Sequence, residues 1–407
     1  MTSDEPHTAG HRAAVHGPRS VTPLLVALLF VAFFLRVWQL TGVPPGLTHD
    51  EANHGREAIG ILNGIYLYFF PLNYGSEPLY SYTVALMMAA LGRGLLALRL
   101  VNAFFGTLAI AMTYAWASKR FGRAVALLGA ALMAVGFWPL ASSREALRAG
   151  MLPFFMTLAV WFFWRILDAA REAPKKGDGV SLWSVVSLPV IGFGLALALT
   201  LHIYLAARTS WLLFPVFLFY LAMMKREVFE RAWRPVLAGL LLAAVLVAPM
   251  FLYLRAHPEM QTRLDMLDRP LQALRSGDFG PVILNVRDAF LAFVWPGFGD
   301  QFLAYNVPGR PVFDAIPAVL LVLGLSICLL RWRKPVYAFL LLWFLTGIIP
   351  SLVTGPTANT TRNLAALPAV YLIAGLGFVM PIRALAADPR RTERSGARRV
   401  AAPAAFV

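Results

Sequence analysis

LYSYTVALMMAALG, residues 79–92, is the stretch whose reading decides the fold. It is apolar, but its 14 residues fall short of the roughly 20 that a helix needs to cross a bilayer. Ten other segments qualify as spans: 21–40, 95–118, 124–140, 151–167, 182–204, 210–224, 235–254, 315–330, 335–352 and 364–380. If 79–92 also crossed, every later basic cluster would move to the side opposite the N-terminus. If it lies at the interface or dips into it, the clusters at 119–123, 165–176, 225–234 and 331–334 and the arginines of the C-terminal tail share one side. The excess of Lys and Arg on cytoplasmic loops favours the second arrangement. The expectation is an all-α polytopic membrane protein with ten spans, both termini cytoplasmic, and an interfacial or re-entrant segment in the first outer loop, 41–94.

Composition points the same way. The chain has 407 residues, of which 59% are apolar, 13% aromatic and only 14% charged, whereas soluble domains carry roughly 25% charged residues. The net charge of +15 does not signal nucleic acid, because its basic residues sit in short clusters between apolar segments. Residues 1–20 read as a cytoplasmic tail, 21–380 as one transmembrane domain, and 381–407 as a basic, disordered inner tail. The first apolar run is longer than a signal-peptide core, so it is expected to be a retained span. The lone cysteine, Cys328, sits in an apolar segment and allows no intrachain disulfide.

That topology collects a chemically mixed population on the outer face. The first outer loop carries GLTHDEANHGREAIGILNG, residues 46–64, with His49, Asp50, Glu51, His54, Arg56 and Glu57. Thr48-His49-Asp50-Glu51 fits a capping box, with Thr48 as N-cap and Glu51 reaching back to the free amide. Asp50 is not needed for that box. Glu77 precedes Pro78 at a helix start, where a carboxylate at membrane depth needs a partner. Arg144 and Arg148 are four apart and share a helical face; Arg208 closes the run from His202 through Tyr204, and Arg362 precedes the last span. Single arginines at such places often only snorkel to headgroups. Four on the side of the acids suggest an anionic ligand, and phosphate suits guanidinium donors. Glu77, His54 and His202 are the candidates should a divalent metal bind, although the histidines lack tight ligand spacing. A long outer loop, 255–313, begins with leucines at helical spacing (Leu264, Leu267, Leu271, Leu274), which predicts a helix on the membrane surface over 263–275. Its end, 295–311, is rich in Pro and Gly and reads as turns. Phosphate-loop, GxSxG and HExxH motifs are missing, so nucleotide hydrolysis, serine hydrolase and zinc protease chemistry have no support.

The assembled pattern resembles the polyprenyl-phosphate-sugar-dependent GT-C glycosyltransferases, in particular family 39, the group of protein O-mannosyltransferases and aminoarabinose transferases. It is carried by Asp50-Glu51-Ala52 with Gly55 and Ala58, Glu77-Pro78-Leu79, Arg99 in Leu98-Arg99-Leu100, Ser143-Arg144-Glu145, the run from Tyr204 to Arg208, and Arg362-Asn363-Leu364 with Pro368. The resemblance implies sugar transfer from a polyprenyl-phosphate carrier to a glycan, lipid or protein acceptor. It places the reaction on the extracytoplasmic side of the inner membrane, and it makes Asp50 the general base, with Glu51 ordering the loop. Glu77, Arg144, Arg148, His202, Tyr204, Arg208 and Arg362 then form the substrate-binding set, and residues 79–92 help wall a lipid groove. Glu77 departs from the basic residue or histidine found before that proline in many relatives. Two rival readings are a lipid-linked glycan polymerase or ligase, which shares the outer-face arginines, and a transporter or flippase. The latter predicts mid-span charges and two related halves, neither of which the sequence displays.

Overall fold

The computed structural model describes residues 22–172, 187–261, 269–355 and 359–386. The expected tails, the start of the 182–204 span, part of the 165–176 loop and Leu264 and Leu267 of the expected surface helix lie outside these residues. Fourteen helices carry the architecture: α1 (Thr22–Val37), α2 (His49–Leu62), α3 (Pro78–Leu91), α4 (Leu95–Phe121), α5 (Arg123–Val135), α6 (Phe137–Ser142), α7 (Leu152–Glu172), α8 (Leu188–Leu201), α9 (Leu213–Met224), α10 (Arg226–Ala256), α11 (Gly280–Leu291), α12 (Ala315–Leu330), α13 (Pro335–Thr354) and α14 (Leu367–Ala386). Among the described residues there is no β-strand, only an isolated bridge between Phe70 and Ser76.

Six helical stretches are long and apolar enough to cross a membrane: Leu95–Phe121, Arg148–Glu172, Ala207–Met224, Arg226–Ala256, Pro335–Thr354 and Leu364–Ala386. Five shorter apolar helices accompany them, including Pro78–Leu91 and Ala315–Leu330. The chain is thus a multi-pass, all-helical membrane protein. Large apolar side chains such as Phe30, Leu86, Phe219, Val245 and Leu330 point outward, as a surface bathed in hydrocarbon allows. The interior is a cluster of aromatic rings, with Trp116, Phe163, Trp164, Phe217, Phe339 and Trp343 in mutual contact. Glycines let the last helix approach closely: a β-carbon on Gly377 would meet the Leu320 carbonyl oxygen at 1.9 Å, and one on Gly324 the Ile373 carbonyl oxygen at 1.9 Å. Small residues at such a crossing replace the hydrophobic drive that lipid cannot supply.

Several boundaries differ from the sequence reading. The expected span 124–140 breaks at Gly136 into α5 and the short α6. The expected basic loop 225–234 is instead the first turns of α10, a helix of 31 residues that carries Pro235 and Pro249 inside it. Within 255–313 a helix is described over Arg269–Arg275, and α11 follows it in a part to which the sequence reading assigned no element.

Arg99, near the start of α4, donates to the carbonyls of Leu40, Pro44 and Gly46, just after α1 (3.1, 2.8 and 2.6 Å). Both ends of the 41–94 segment therefore lie at one end of the bundle. At about 1.5 Å per residue, the 14 residues of α3 span roughly 21 Å, short of the ~30 Å hydrocarbon core.

Candidate active site

The site gathers at the end of the bundle where α1 stops and α2 begins. Thr48 caps α2 as the sequence predicts: its hydroxyl accepts from the Glu51 amide (3.2 Å), and the Glu51 carboxylate accepts from the Thr48 amide (3.0 Å). Glu51 does more than complete the box. Its oxygens also accept from Arg99 Nε (2.8 Å) and Nη2 (3.0 Å) and from the Ala146 amide (2.9 Å), and both charged side chains are fully buried. With these contacts and no exposed surface, Glu51 ties the start of α2 to α4 and to the Ala146 backbone.

The Arg144 guanidinium donates to the carbonyls of Leu35 (2.7 Å), Trp38 (2.7 Å) and Val43 (2.8 Å), the orphan acceptors that a helix C-terminus leaves behind. It fastens the exit from α1. Arg362 turns to Thr354, donating to its hydroxyl (2.5 Å). The His202 ring meets the Ala198 carbonyl (3.0 Å), while the His202 backbone carbonyl accepts from the Leu79 amide (2.9 Å) and so ties α8 to the start of α3.

Asp50 stands apart from these structural contacts. Its side chain is about a quarter exposed (26%) and accepts a hydrogen bond from the Tyr305 hydroxyl (2.5 Å). It lines a small cavity with His54, Asn73, Arg148, Tyr204 and Thr361, where about 20 Å³ is free, room for one water. Arg148 is buried beside Glu77 (Nε to Oε2, 3.1 Å), donates Nη2 to the Gly75 carbonyl (3.1 Å), and lies 5.5 Å over the Tyr204 ring. Its Nη1 is a buried donor with no hydrogen-bond partner. Such a group is costly to leave unmade and marks a place prepared for an acceptor oxygen. Arg208 lies within electrostatic reach of Glu77, and its guanidinium sits 4.8 Å over the Phe251 ring. That ring belongs to an apolar groove of about 440 Å³ lined by Ala248, Phe251, Leu252, Leu254 and Arg255 on α10.

Three features escaped the sequence reading. Tyr305 reaches Asp50 from a loop 255 positions away in the chain. Buried Asp300 positions that loop, accepting from the Thr360 hydroxyl (2.7 Å) and the Phe302 amide (3.0 Å). The Glu145 carboxyl is pushed up to about 8 by burial first and by the neighbouring Glu51 charge second, with a smaller push from Asp50. No spacing signal in the sequence pointed to any of these partners.

A metal does not fit the candidates. His54 is bonded to Glu57 (3.0 Å), which also accepts from Ser76 (2.7 Å) and Ser81. Burial raises the Glu57 carboxyl, but the His54 contact and the two hydroxyls outweigh it and hold the group below its usual range. Glu77 is paired with Arg148, and His202 faces a carbonyl. Among the described residues no three His, Cys, Asp or Glu side chains gather as a ligand set.

No known protein family matches the chain, and no curated protein matches it in sequence. Solved structures do match in three dimensions. The archaeal oligosaccharyltransferase AglB from Archaeoglobus fulgidus, solved with an inhibitory peptide and a dolichol-phosphate, aligns over 95% of this chain and 52% of its own at 16% identity, with a TM-score of 0.59. ArnT from Cupriavidus metallidurans, bound to undecaprenyl phosphate, aligns over 88% of this chain and 59% of its own at 13% identity, with a TM-score of 0.56. The chain spans little more than half the length of these proteins. They share an architecture without singling out family 39, and the identity is low enough that the likeness speaks for fold alone. The chain has the same fold as these two proteins.

Proposed function

We propose that the protein is a membrane glycosyltransferase that moves a sugar from a polyprenyl-phosphate carrier to an acceptor hydroxyl on the extracytoplasmic side of the cell membrane. The observation that carries this reading is one cavity holding a half-buried carboxylate, Asp50, and a buried guanidinium, Arg148, with an unmet donor. The neighbouring apolar groove with Arg208 at its edge supports a lipid-borne donor, as do structural neighbours solved with dolichol-phosphate and undecaprenyl phosphate.

In this mechanism Asp50 accepts the proton of the acceptor hydroxyl as its oxygen attacks the anomeric carbon. The bond from that carbon to the phosphate oxygen breaks in the same step, inverting the centre, and the electron pair leaves with polyprenyl phosphate. General-base assistance of this kind is worth about 10²–10⁴ in rate. Arg148 and Arg208 meet the negative charge that grows on the phosphate, where donors placed in advance act most strongly. Glu77 orients Arg148, and Tyr204 packs beneath it. Because the free space beside Asp50 holds only about one water, the loop carrying Tyr305 opens to admit the reactants.

The test is transfer from labelled polyprenyl-phosphate sugars in membranes containing the wild type or Asp50→Asn. A fall of about 10²–10⁴ in rate is expected; undiminished transfer by the variant would remove Asp50 from the chemistry.

A further inference from the structure

We propose that the acceptor is a carbohydrate, and that it is seated in a second, solvent-facing pocket formed by His49, Asn53, Arg56, Asn73, Tyr74 and Glu259. This rests on the transfer reading above and names the acceptor class that reading leaves open. The pocket has about 380 Å³ of free space, within the roughly 300–1,000 Å³ of small-molecule sites. It adjoins the catalytic cavity: Asn73 lines both, and its amide donates to the Asp50 carbonyl oxygen (3.4 Å). His49 precedes Asp50 in the chain, and its ring lies 3.9 Å from the Asp50 carboxylate.

The lining fits a neutral, polyhydroxylated ligand. Asn53 and Asn73 are buried, and the Asn53 amide donates to the Asn73 side-chain oxygen (2.7 Å), so the two are held in fixed orientation. Arg56 and Glu259 are exposed, face the same space, and form no ion pair with each other. One donor-only and one acceptor-only group across a gap suit hydroxyls, which both give and accept. One cation balanced by one anion does not suit a phosphate. Tyr74 supplies a flat apolar ring, 59% exposed.

The backbone that presents Tyr74 is strained. Asn73 (φ 58°) and Tyr74 (φ 59°) are both left-handed, and Gly75 (φ 97°) follows. Left-handed non-glycine residues are costly and persist where surrounding structure over-determines them. Here the neighbour is the segment carrying Glu259: a β-carbon on Gly75 would meet the Met260 carbonyl oxygen at 2.5 Å. The strain thus sets Tyr74 and Glu259 against one pocket. A peptide acceptor fits less well, since extended peptides commonly add to a free sheet edge and the described residues offer no sheet.

Saturation-transfer NMR on the full-length protein in lipid nanodiscs tests this, with methyl mannoside, glucoside and galactoside, their disaccharides, and a Ser- and Thr-containing hexapeptide as probes. At least one glycoside is expected to bind. Tyr74→Ala and Arg56→Ala should each weaken it tenfold or more, Tyr74→Phe should restore stacking, and Arg226→Ala, in an exposed pair elsewhere, should have no effect. Peptide binding without glycoside binding would overturn the proposal, as would glycoside binding indifferent to Tyr74→Ala and Arg56→Ala. Glycoside binding mapped to the pocket in a protein that never turns over a polyprenyl-phosphate donor would uphold the carbohydrate site and sink the transfer reading.

Discussion

Replacing Glu51 by Gln separates a structural carboxylate from a catalytic one. The change keeps the shape of the side chain but leaves Arg99 without its partner at a place where both groups are fully buried. Removing one member of a buried ion pair costs about 3–5 kcal/mol, because the remaining charge has neither water nor a counter-ion. That corresponds to roughly a 10²- to 10⁴-fold fall in the ratio of folded to unfolded protein. Arg99 keeps its three carbonyls from the 40–46 segment, so the lower end of the range is the better expectation. Asp50→Asn is the internal comparison: this side chain is a quarter exposed and keeps an acceptor oxygen for the Tyr305 hydroxyl, losing only the charge behind that bond, a cost within about 1–2 kcal/mol. Graded unfolding in SDS, read by tryptophan fluorescence, would rank the two variants. If Glu51→Gln unfolds at the wild-type midpoint and yet has lost transfer, Glu51 belongs to the chemistry and the reasoning here is refuted.

Other outcomes follow from the same geometry. Glu145 has a folded-state value raised from 4.5 to about 8, so the folded protein binds a proton that the unfolded chain has released; stability from this group is full below about pH 4.5 and is lost as pH rises toward 8. Unfolding midpoints measured from pH 5 to 9 should therefore fall more steeply for wild type than for Glu145→Gln, and parallel profiles would dismiss the buried carboxyl. Arg148→Lys keeps the charge but cannot both fork toward a phosphate and reach the Gly75 carbonyl; kinetics should show the donor KM rising tenfold or more, with a smaller change in kcat. Gly377→Ala forces a β-carbon against the Leu320 carbonyl oxygen and should lower the thermal midpoint clearly, whereas an alanine on the outward face of α12 should not. A cysteine placed in the 119–123 loop should resist membrane-impermeant reagents in intact cells; labelling from outside would overturn the proposed orientation.

What the sequence made legible was whatever depends on local spacing. Thr48 and Glu51 spell a capping box within four residues, and the structure contains it. Long-range partnerships were not legible. Arg144 looked like a phosphate ligand because an outer-face arginine near acids has that chemistry, but nothing local reveals that carbonyls 101–109 positions away would take its donors. Tyr305 stayed hidden for the same reason. Helix ends such as Gly136 and the start of α10 were misplaced because apolar content reports burial in lipid and not where hydrogen bonding begins.

The grip of Arg99 and Arg144 on the 35–46 segment has one more implication. Every acceptor there is a backbone carbonyl: Leu35, Trp38, Val43, Leu40, Pro44 and Gly46. A carbonyl oxygen is the same whatever side chain its residue bears, so this clamp reads path and not identity. The approach to Asp50 can therefore drift in sequence while its course is kept, which is one physical route by which a shared architecture outlasts 13–16% identity.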